Sequence, residues 1–378
     1  MPPVPPSNLC VAVDAAALRD GRASAGIGRY VRGLIHGLEA IPGIEVVPCS
    51  PSRPPRPDAW AIRFLNAQPA QFRARRQRHG GRPTVLHATS GDPSLVWPPA
   101  AQVVTLHDVE PWRSPTQGGG VKHRLTAGYF AMQRTRFRRC GAIIAVSNAT
   151  ADDACALLAI DRSRVHVIGE GAAPVFTVTA DTESGDAALR RAAGVDQPGY
   201  IVWVGSLRAH DPRKALDVLV DAVARVEPAT PLVLVGQRGD EADRVVRRAR
   251  DMGLAITTTG YVGDASLAAL YRGAGAVAIP SRHEGFGLPM IEAMACGAPV
   301  VATAVANLVQ LGRDDAAVMV PAGDPSALAT ALSRVLSNGP LTARLRVRGP
   351  ARAAEHGWDD MCRRTAAVYR EVAARRSR

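Results

Sequence analysis

The sequence is poor in aromatic residues and has no long apolar run. Aromatic side chains make up 4% of the residues and are not interleaved with basic ones. This composition disfavours a protein that binds single-stranded nucleic acid by stacking its bases on aromatic side chains. No segment approaches the roughly 18 uninterrupted apolar residues that a membrane-spanning helix requires. The N-terminus lacks the basic and then apolar segments of a secretory signal, so we expect a cytoplasmic protein.

Cysteine is also scarce. The six cysteines form no C-x-x-C pair and do not have the spacing of a zinc site. We therefore predict free, buried thiols rather than disulfides or a metal centre. They are Cys10, Cys49, Cys140, Cys155, Cys296 and Cys362.

Positive charge, in contrast, is abundant. A formal net charge of +12 and a pI near 10.2 indicate an anionic partner. The low aromatic content makes nucleic acid a weaker candidate than a phosphorylated small molecule or an acidic membrane surface. Two basic runs, 72–78 and 121–139, lie in the first half, and each basic residue near an acidic membrane contributes about 1 kcal/mol. A peripheral position at the inner face of the plasma membrane is therefore one hypothesis, and a solvated basic face is the other.

Short apolar, β-branched runs alternate with helical patterns, and the chain does this twice. The alternation indicates βα units around parallel sheets, so the fold class is α/β with two Rossmann-like, doubly wound domains facing across a cleft. The predicted strands are 10–13, 84–86, 103–106 and 142–146 in the first half, and 200–204, 231–235, 276–279 and 299–302 in the second.

The length agrees with two domains, because 378 residues exceed one ordinary domain of roughly 100 to 200. We place the first domain at 1–176 and the second at 200–355. The polar segment 177–199 lacks apolar periodicity and is predicted to be a hinge. A C-terminal helix, apolar on one face, is predicted within 356–378.

Ligands of such sheets bind beyond the carboxyl ends of the strands. Gly26 and Gly28 follow the first strand and precede a helix predicted at 30–38, where glycines let the backbone approach a phosphate or sugar oxygen; a simple tight turn is the alternative. The pattern departs from the dinucleotide fingerprint, which argues against a nicotinamide enzyme. His107 ends another strand and is a candidate hydrogen-bonding ligand or a structural histidine, and His87 has the same position with a weaker case.

Three cations follow Gly205, after a strand and before a helix: Arg208, Arg213 and Lys214. Cations at a helix N-terminus oppose its dipole at a cost of roughly 0.3 to 1 kcal/mol. This cost is easier to understand if an anion such as a diphosphate lies among them. A solvated charge cluster is the alternative.

The segment SRHEGFGLPMIE sets Glu284 and Glu292 eight positions apart around a helix start. The backbone N–H groups of Phe286, Gly287 and Leu288 lead into that helix and suit hydroxyl or phosphate oxygens, while the two carboxylates suit hydroxyl donors. A polyhydroxylated, phosphorylated ligand would use all of these groups. Acid/base work on a neutral glycan is the competing function, and a helix-start acid plus a surface acid is the structural alternative.

The segment EGFGLPMIE, followed by AMACGAPVVAT, resembles the E-x7-E region of the retaining glycosyltransferases of family 4, the group 1 glycosyltransferases. Further segments agree in order over nearly the whole chain, including VVTLHD, VHVIGEG, VGSLRAHDPRKALDVLVDAV and VPAGDPSALATAL. The resemblance implies the GT-B fold, whose C-terminal helix crosses back to the first domain. It also implies that the first domain binds the acceptor and the second binds a nucleotide-sugar.

The resemblance implies a role for each matching residue. The expected catalytic residues are Glu284 and His107 beside the transferred sugar, with Arg213 and Lys214 on the diphosphate. The expected donor-binding residues are Gly26 and Gly28 opposite the phosphates, Gly205 and Arg208 in the cationic loop, Val262 at the base, Phe286 and Gly287 at sugar hydroxyls, Leu288 at the diphosphate and Glu292 at the ribose.

The chain departs from the family pattern in three places. Ser206 stands where an arginine or threonine is common, and residues 209–211 look like a short insertion. Arg208 is therefore a second candidate for the role of Arg213. The segment VANLVQLGRDD lacks the usual proline-glutamate element, so we expect a loop near the donor to differ from the family pattern.

The activity implied is that of a retaining hexosyltransferase without a cofactor. GDP-mannose is the favoured donor, with a UDP- or dTDP-sugar as alternatives, and a glycan or lipid-linked acceptor of the cell envelope or an exopolysaccharide is expected. No D-x-D occurs in the sequence, so we expect no metal-bridged diphosphate. A GT-B sugar-nucleotide epimerase or a catalytically silent sugar-nucleotide binder remains the alternative.

Overall fold

The computed structural model describes residues 9–19, 26–50, 60–76, 84–113, 121–179 and 183–376. The chain divides into two compact units. The N-terminal unit comprises Met1–Glu170 with Trp358–Arg378, and the C-terminal unit comprises Gly171–Gly357. The second unit thus begins at 171, before the predicted domain start at 200.

Each unit contains one parallel sheet. Among the described residues, the N-terminal sheet has six strands in the order β2-β1-β3-β4-β5-β6, and the C-terminal sheet has six in the order β12-β11-β10-β7-β8-β9. The strands are β1 Leu9–Asp14, β2 Ile44–Cys49, β3 Val85–Ala88, β4 Gln102–Leu106, β5 Ala142–Ala145, β6 Val165–Val167, β7 Ile201–Val204, β8 Leu232–Val235, β9 Ile256–Gly260, β10 Ala276–Ile279, β11 Val300–Thr303 and β12 Val318–Val320.

Helices connect the strands and cover the sheets. In chain order they are α1 Gly26–Glu39, α2 Trp60–Arg76, α3 Glu110–Arg113, α4 Val121–Phe137, α5 Asn148–Leu158, α6 Glu183–Ala192, α7 Leu216–Val223, α8 Asp240–Asp251, α9 Asp264–Gly273, α10 Leu288–Ala295, α11 Ala306–Leu311, α12 Pro325–Ser337, α13 Gly339–Ala353 and α14 Trp358–Arg376. No helix of the described residues is long and apolar enough to cross a membrane.

Alternate strand residues face opposite layers, as the pleat requires. In β1, Val11 and Val13 pack in the cluster that includes α1 and α14, whereas Ala12 packs with residues of α2. The C-terminal sheet does the same, with Ile201 and Trp203 of β7 packing against α7 and α12. The predicted α/β class with two doubly wound parallel sheets is confirmed.

The C-terminal helix α14 belongs to the N-terminal unit, as predicted. Its residues Met361, Ala366, Val368, Tyr369 and Val372 are buried in the same cluster as α1. Gly33 and Gly37 of α1 allow the close approach, because a Cβ at these positions would lie 2.8 Å from the Trp358 ring and 2.5 Å from the Cys362 Sγ.

The segment 177–199 contains α6, in which buried Asp186 accepts two 2.6 Å hydrogen bonds from Arg272 of α9, and its role as a hinge stays a prediction. One prediction of local structure was wrong. The first helix begins at Gly26 rather than at residue 30, so Gly26 and Gly28 lie in its first turn. The cysteines are free thiols as predicted; Cys155 is half-buried and the other five are buried.

Candidate active site

The loop between β10 and α10 carries the main polar cluster of the C-terminal unit. Glu284 Oε1 accepts a hydrogen bond of 2.7 Å from Lys214 Nζ and one of 2.6 Å from Ser281 Oγ. The two charged side chains are 14% and 28% exposed, so the ion pair remains accessible to solvent. Since β7 and β10 are neighbours in the sheet, the loops that follow them meet at its carboxyl edge.

Main-chain and side-chain contacts hold this loop in place. The backbone N–H of Arg282 donates to the carbonyl of Arg213 at 2.7 Å, which ties the β10 loop to the β7 loop. Thr303 Oγ1 donates to the carbonyl of Ser281, and Asn307 Nδ2 donates to the carbonyl of Phe286 at 2.7 Å. Ser281 and Phe286 are buried, and their carbonyl groups would destabilise the fold by about 1 to 3 kcal/mol each if they were left without a donor.

Gly287 is the turn that starts α10. Its φ of +110° is the left-handed region that favours glycine, and a Cβ there would lie 2.7 Å from Leu308 Cδ2. The helix begins at Leu288 with Pro289 in its first turn. The first N–H groups of an α-helix have no acceptor within the helix, and they carry the positive end of its dipole, so this end suits an anion.

Glu292 lies one turn inside α10 and is fully buried. Its Oε2 accepts a 3.4 Å hydrogen bond from the hydroxyl of Tyr271 of α9, which is also fully buried. Glu292 therefore faces the interior, on the side of α10 that packs against α9. Its expected contact with a ribose stays a prediction.

The two arginines of the cationic loop differ in their partners. Arg213 donates to both carboxylate oxygens of Asp211, at 2.9 and 2.8 Å. Burial acts to raise the pKa of Asp211, but the hydrogen bonds and charge of Arg213 outweigh it and leave that pKa lowered. Arg208 is exposed in the same loop. Lys214 of the same loop contacts Glu284 directly.

A small cavity of about 10 Å³, room for about one water, lies at the centre of the cluster. The residues lining it include Trp203, Lys214, Ser281, Glu284, Gly287 and Pro289. The sequence had not singled out Trp203 or Ser281 as site residues. The structure thus brings together Glu284, Lys214 and Gly287 from the predicted set.

Other predicted donor residues line the same edge of the sheet. Gly205 follows β7, and a Cβ there would lie 2.5 Å from the Trp203 ring. Val262 is half-buried after β9, next to Tyr261, whose side chain is 49% exposed. Phe286 and Leu288 are buried on either side of Gly287. Gly205 and Val262 are not among the residues that line the cavity beside Glu284, and their contacts with a donor stay predictions.

The N-terminal unit holds His107 by both ring nitrogens. Nδ1 is 2.8 Å from Oε1 of buried Glu170, and Nε2 is 2.9 Å from the carbonyl oxygen of Thr89. Burial acts to lower the pKa of His107, but the hydrogen bond and charge of Glu170 outweigh it, so the pKa is raised. Glu170 is not among the predicted site residues, although it lies in the segment VHVIGEG that supports the family resemblance.

His87, one strand away, is structural. It is fully buried, with Nδ1 2.6 Å from the hydroxyl of Tyr369 and Nε2 2.7 Å from Oγ1 of Thr105, which also contacts the hydroxyl of Tyr30 at 2.9 Å. Burial and the nearby charge of His107 lower its pKa to about 3. The network links α14, β3, β4 and α1, so His87 belongs to the core.

The remaining predicted features of this unit are partly described. Gly28 is buried in the first turn of α1 and Gly26 is exposed, while residues 20–25 lie outside the described residues. In the basic run 121–139, the side chains of 121–126 also lie outside them. Of its other arginines, Arg136 donates to the carbonyls of Ser94 and Trp97, and the rest are exposed: Arg134, Arg138 and Arg139.

Comparison with known families covers most of the chain. Residues 24–174 match the family described as Glycosyltransferase Family 4, and residues 198–338 match Glycosyl transferases group 1. The chain belongs to the group 1 glycosyltransferases of family 4. This family 4 chain keeps the E-x7-E pair on the two sides of the α10 helix start.

Curated relatives match part of their own length. This family 4 chain is 36% identical to the D-inositol 3-phosphate glycosyltransferase of Salinispora arenicola over 232 residues, which are 57% of the chain and 51% of the relative. It is 34% identical to the O-antigen chain mannosyltransferase B of Escherichia coli over 179 residues, 46% of each protein. The matches span about half the length of these relatives.

The fold also matches solved structures. Anabaena HepE, solved in complex with UDP and glucose, covers 95% of the chain and 98% of its own length with a TM-score of 0.70 at 17% identity. At this identity the match concerns the fold alone. It agrees with the GT-B fold that the two parallel sheets establish.

Proposed function

We propose that this protein is a retaining, metal-independent hexosyltransferase that moves a sugar from a nucleotide-diphospho-sugar to a glycan or lipid-linked acceptor. A mannose-type donor such as GDP-mannose is favoured over UDP- and dTDP-sugars. The process served is cell-envelope or exopolysaccharide biosynthesis. Family membership supports glycosyl transfer, and the absence of D-x-D in the sequence supports the metal-independent form.

The observation that carries the proposal is the Lys214–Glu284 pair beside the start of α10. A phosphate oxygen of the donor would replace the carboxylate as the partner of Lys214, and sugar hydroxyls would donate to Glu284. The helix start stabilises the negative charge that develops on the departing diphosphate, an electrostatic term that often dominates catalysis. Neither side chain needs to form a covalent bond to the sugar.

The named activities of two similar proteins support the choice of donor class. The Escherichia coli relative is named a mannosyltransferase, and the Salinispora relative is named a glycosyltransferase acting on an inositol phosphate. HepE, which shares the fold, is solved with UDP. The mannose-type donor therefore has the support of a sequence relative, whereas the UDP alternative has that of a fold relative.

The proposal of a lipid-linked acceptor at a membrane rests on the positive charge of the basic run 121–139. Exposed Arg134, Arg138 and Arg139 continue the basic run on and after α4, and an acidic membrane would attract this face. We expect more flotation with liposomes that contain anionic phosphatidylglycerol than with neutral phosphatidylcholine. Equal flotation would remove the membrane from the proposal.

Donor binding and product analysis test the proposal together. A donor present at 100 times its Kd stabilises the folded state by about 2.7 kcal/mol, so the true donor should raise the melting temperature in a screen of GDP-mannose, UDP-glucose and dTDP-glucose. Incubation of the stabilising donor with an acceptor mixture should then yield an α-linked product. An epimerised sugar would indicate an epimerase, and binding without turnover would indicate a silent binder.

A further inference from the structure

His107 lies just after β4 with one ring nitrogen at a carbonyl and the other at a carboxylate. The carbonyl of Thr89 is 2.9 Å from Nε2. A carbonyl has no proton to give, so Nε2 must carry the hydrogen of this bond. The geometry therefore shows that Nε2 is protonated.

The protonation state of Nδ1 depends on Glu170, whose Oε1 is 2.8 Å away. Either an imidazolium donates to a carboxylate, or a neutral ring accepts from a protonated carboxyl group. The distance matches a charge-assisted N–H···O bond. Burial disfavours the charged ring, but Glu170, the Thr89 carbonyl and the nearby Asp108 all raise the pKa of His107, and together they outweigh burial. This pocket therefore stabilises the imidazolium.

The groups that face the ring from neighbouring elements do not change this balance. Tyr30 of α1 presents its ring edge to His107 with centroids 4.8 Å apart, and burial raises the pKa of its phenol, so it stays neutral. His87 of β3 is fully buried with a pKa lowered to about 3, so it adds no second positive charge near neutral pH.

We propose that Glu170 is a positioning residue that holds His107 as an imidazolium, so that the N-terminal unit contributes a fixed positive charge rather than a proton-accepting imidazole. The inference rests on the proposed glycosyl transfer. Both ring nitrogens of His107 are already donors, so the ring has no lone pair with which to deprotonate an acceptor hydroxyl. Its charge instead stabilises negative charge that develops on a group beside the ring.

The direct test is the protonation state of His107, measured by NMR titration of protein labelled in histidine with ¹³C and ¹⁵N. A His107→Gln sample identifies the signals. We expect the wild-type ring to titrate above the ordinary pKa of about 6.5. In Glu170→Gln, whose amide keeps the shape but not the charge, the pKa should fall by about 1 or more.

Asp108→Asn is the matched control, because it removes a neighbouring carboxylate and leaves the Glu170 contact; its shift should be smaller. A wild-type ring that is neutral near pH 7 would overturn the proposal, and this measurement needs no variant to fold. Equal titration of the wild type and Glu170→Gln would overturn it as well.

Turnover provides the second measurement. At about pH 8 the kcat of Glu170→Gln should be about tenfold or more below the wild type, with little change in the donor KM. Toward acid pH, as the ring becomes protonated in both proteins, the two kcat values should converge. An equal loss at both pH values would show a merely structural role. The titration does not depend on turnover, so a failed transfer assay with an unchanged titration would reject the proposed reaction and keep the His107–Glu170 assignment.

Discussion

The carboxyl edges of the two sheets reach their polar geometry in different ways. In the C-terminal unit, Ser281, Glu284 and Gly287 lie in one loop, and Lys214 comes from the loop of the adjacent strand. In the N-terminal unit, His107 is held by a residue 63 positions away and His87 by one 282 positions away. Both edges require the completed fold, since Lys214 and Glu284 are themselves 70 positions apart, but the C-terminal edge also carries Ser281, Glu284 and Gly287 within one loop.

Glu284 and His87 also differ in burial, although the His107 side chain is as exposed as that of Glu284. Glu284 remains 14% exposed, whereas His87 is fully buried between β3, β4 and α14. A change at Glu284 should therefore act mainly on turnover, and a change at His87 mainly on stability. The three predictions below test this division, starting with the largest expected effect.

Removal of the carboxylate in Glu284→Ala should lower the transfer rate by about 10²- to 10³-fold, the loss typical of a removed electrostatic contact at a reacting centre. The free energy of unfolding should change by no more than about 1 kcal/mol, because the ion pair with Lys214 is partly exposed. The measurements are kcat/KM for the donor and urea unfolding. Ser281→Ala, which keeps the carboxylate, should lose much less activity. Wild-type turnover in Glu284→Ala would place the site elsewhere.

Substitution of Gly287 tests whether the helix start forms the site. In Gly287→Ala the Cβ would meet Leu308 at 2.7 Å in a left-handed backbone conformation. We expect a loss of about 2 to 4 kcal/mol in unfolding free energy, with weaker donor binding. Gly339→Ala is the matched control, since no atom lies within 4 Å of the position a Cβ would take there. Equal stability of the two variants would show that the α10 start tolerates a side chain.

The fold was predictable where strands lie in the middle of a sheet. The eight predicted strands correspond to the central strands, which are buried along nearly their whole length. The sequence analysis missed four strands, and these are the edges of the two sheets: β2, β6, β9 and β12. Edge strands are half-buried and carry polar residues such as Glu45, His166 and Thr258, so they lack the continuous apolar run of a parallel core strand.

The candidate site was predictable to a similar degree. Glu284, Gly287 and Lys214 follow strands in recognisable local patterns, and the structure brings them together. Glu170 was not predictable as a partner of His107, because the contact depends on the adjacent positions of β4, β5 and β6 in the sheet. Local sequence carries no information on such a pairing. The helix start at Gly26 was missed because glycine is a poor helix former.

The smallest expected effect is a change in the acid stability of the N-terminal unit. The pKa of His87 is about 3 in the folded state against about 6.5 in an unfolded chain, so the unfolded state binds the proton more readily. The stability that His87 contributes by staying neutral is therefore fully present above about pH 6.5 and is lost as the pH falls toward about 3. The loss amounts to roughly 2 kcal/mol at about pH 5. The contribution of His107 depends on pH in the opposite direction, because a pKa that is raised in the folded state stabilises the folded protein at low pH.

His87→Asn removes the titrating ring and should be less stable than the wild type near pH 8, because it loses contacts with Tyr369 and Thr105. The difference between the two proteins in urea unfolding should narrow by roughly 2 kcal/mol at about pH 5. Tyr369→Phe is the control, since it removes one partner but keeps the imidazole, and its difference from the wild type should change little with pH. If the His87→Asn curve stays parallel to the wild type, the pKa of His87 is the same in the folded and unfolded states, and the contrast between the buried neutral ring and the charged ring of His107 disappears.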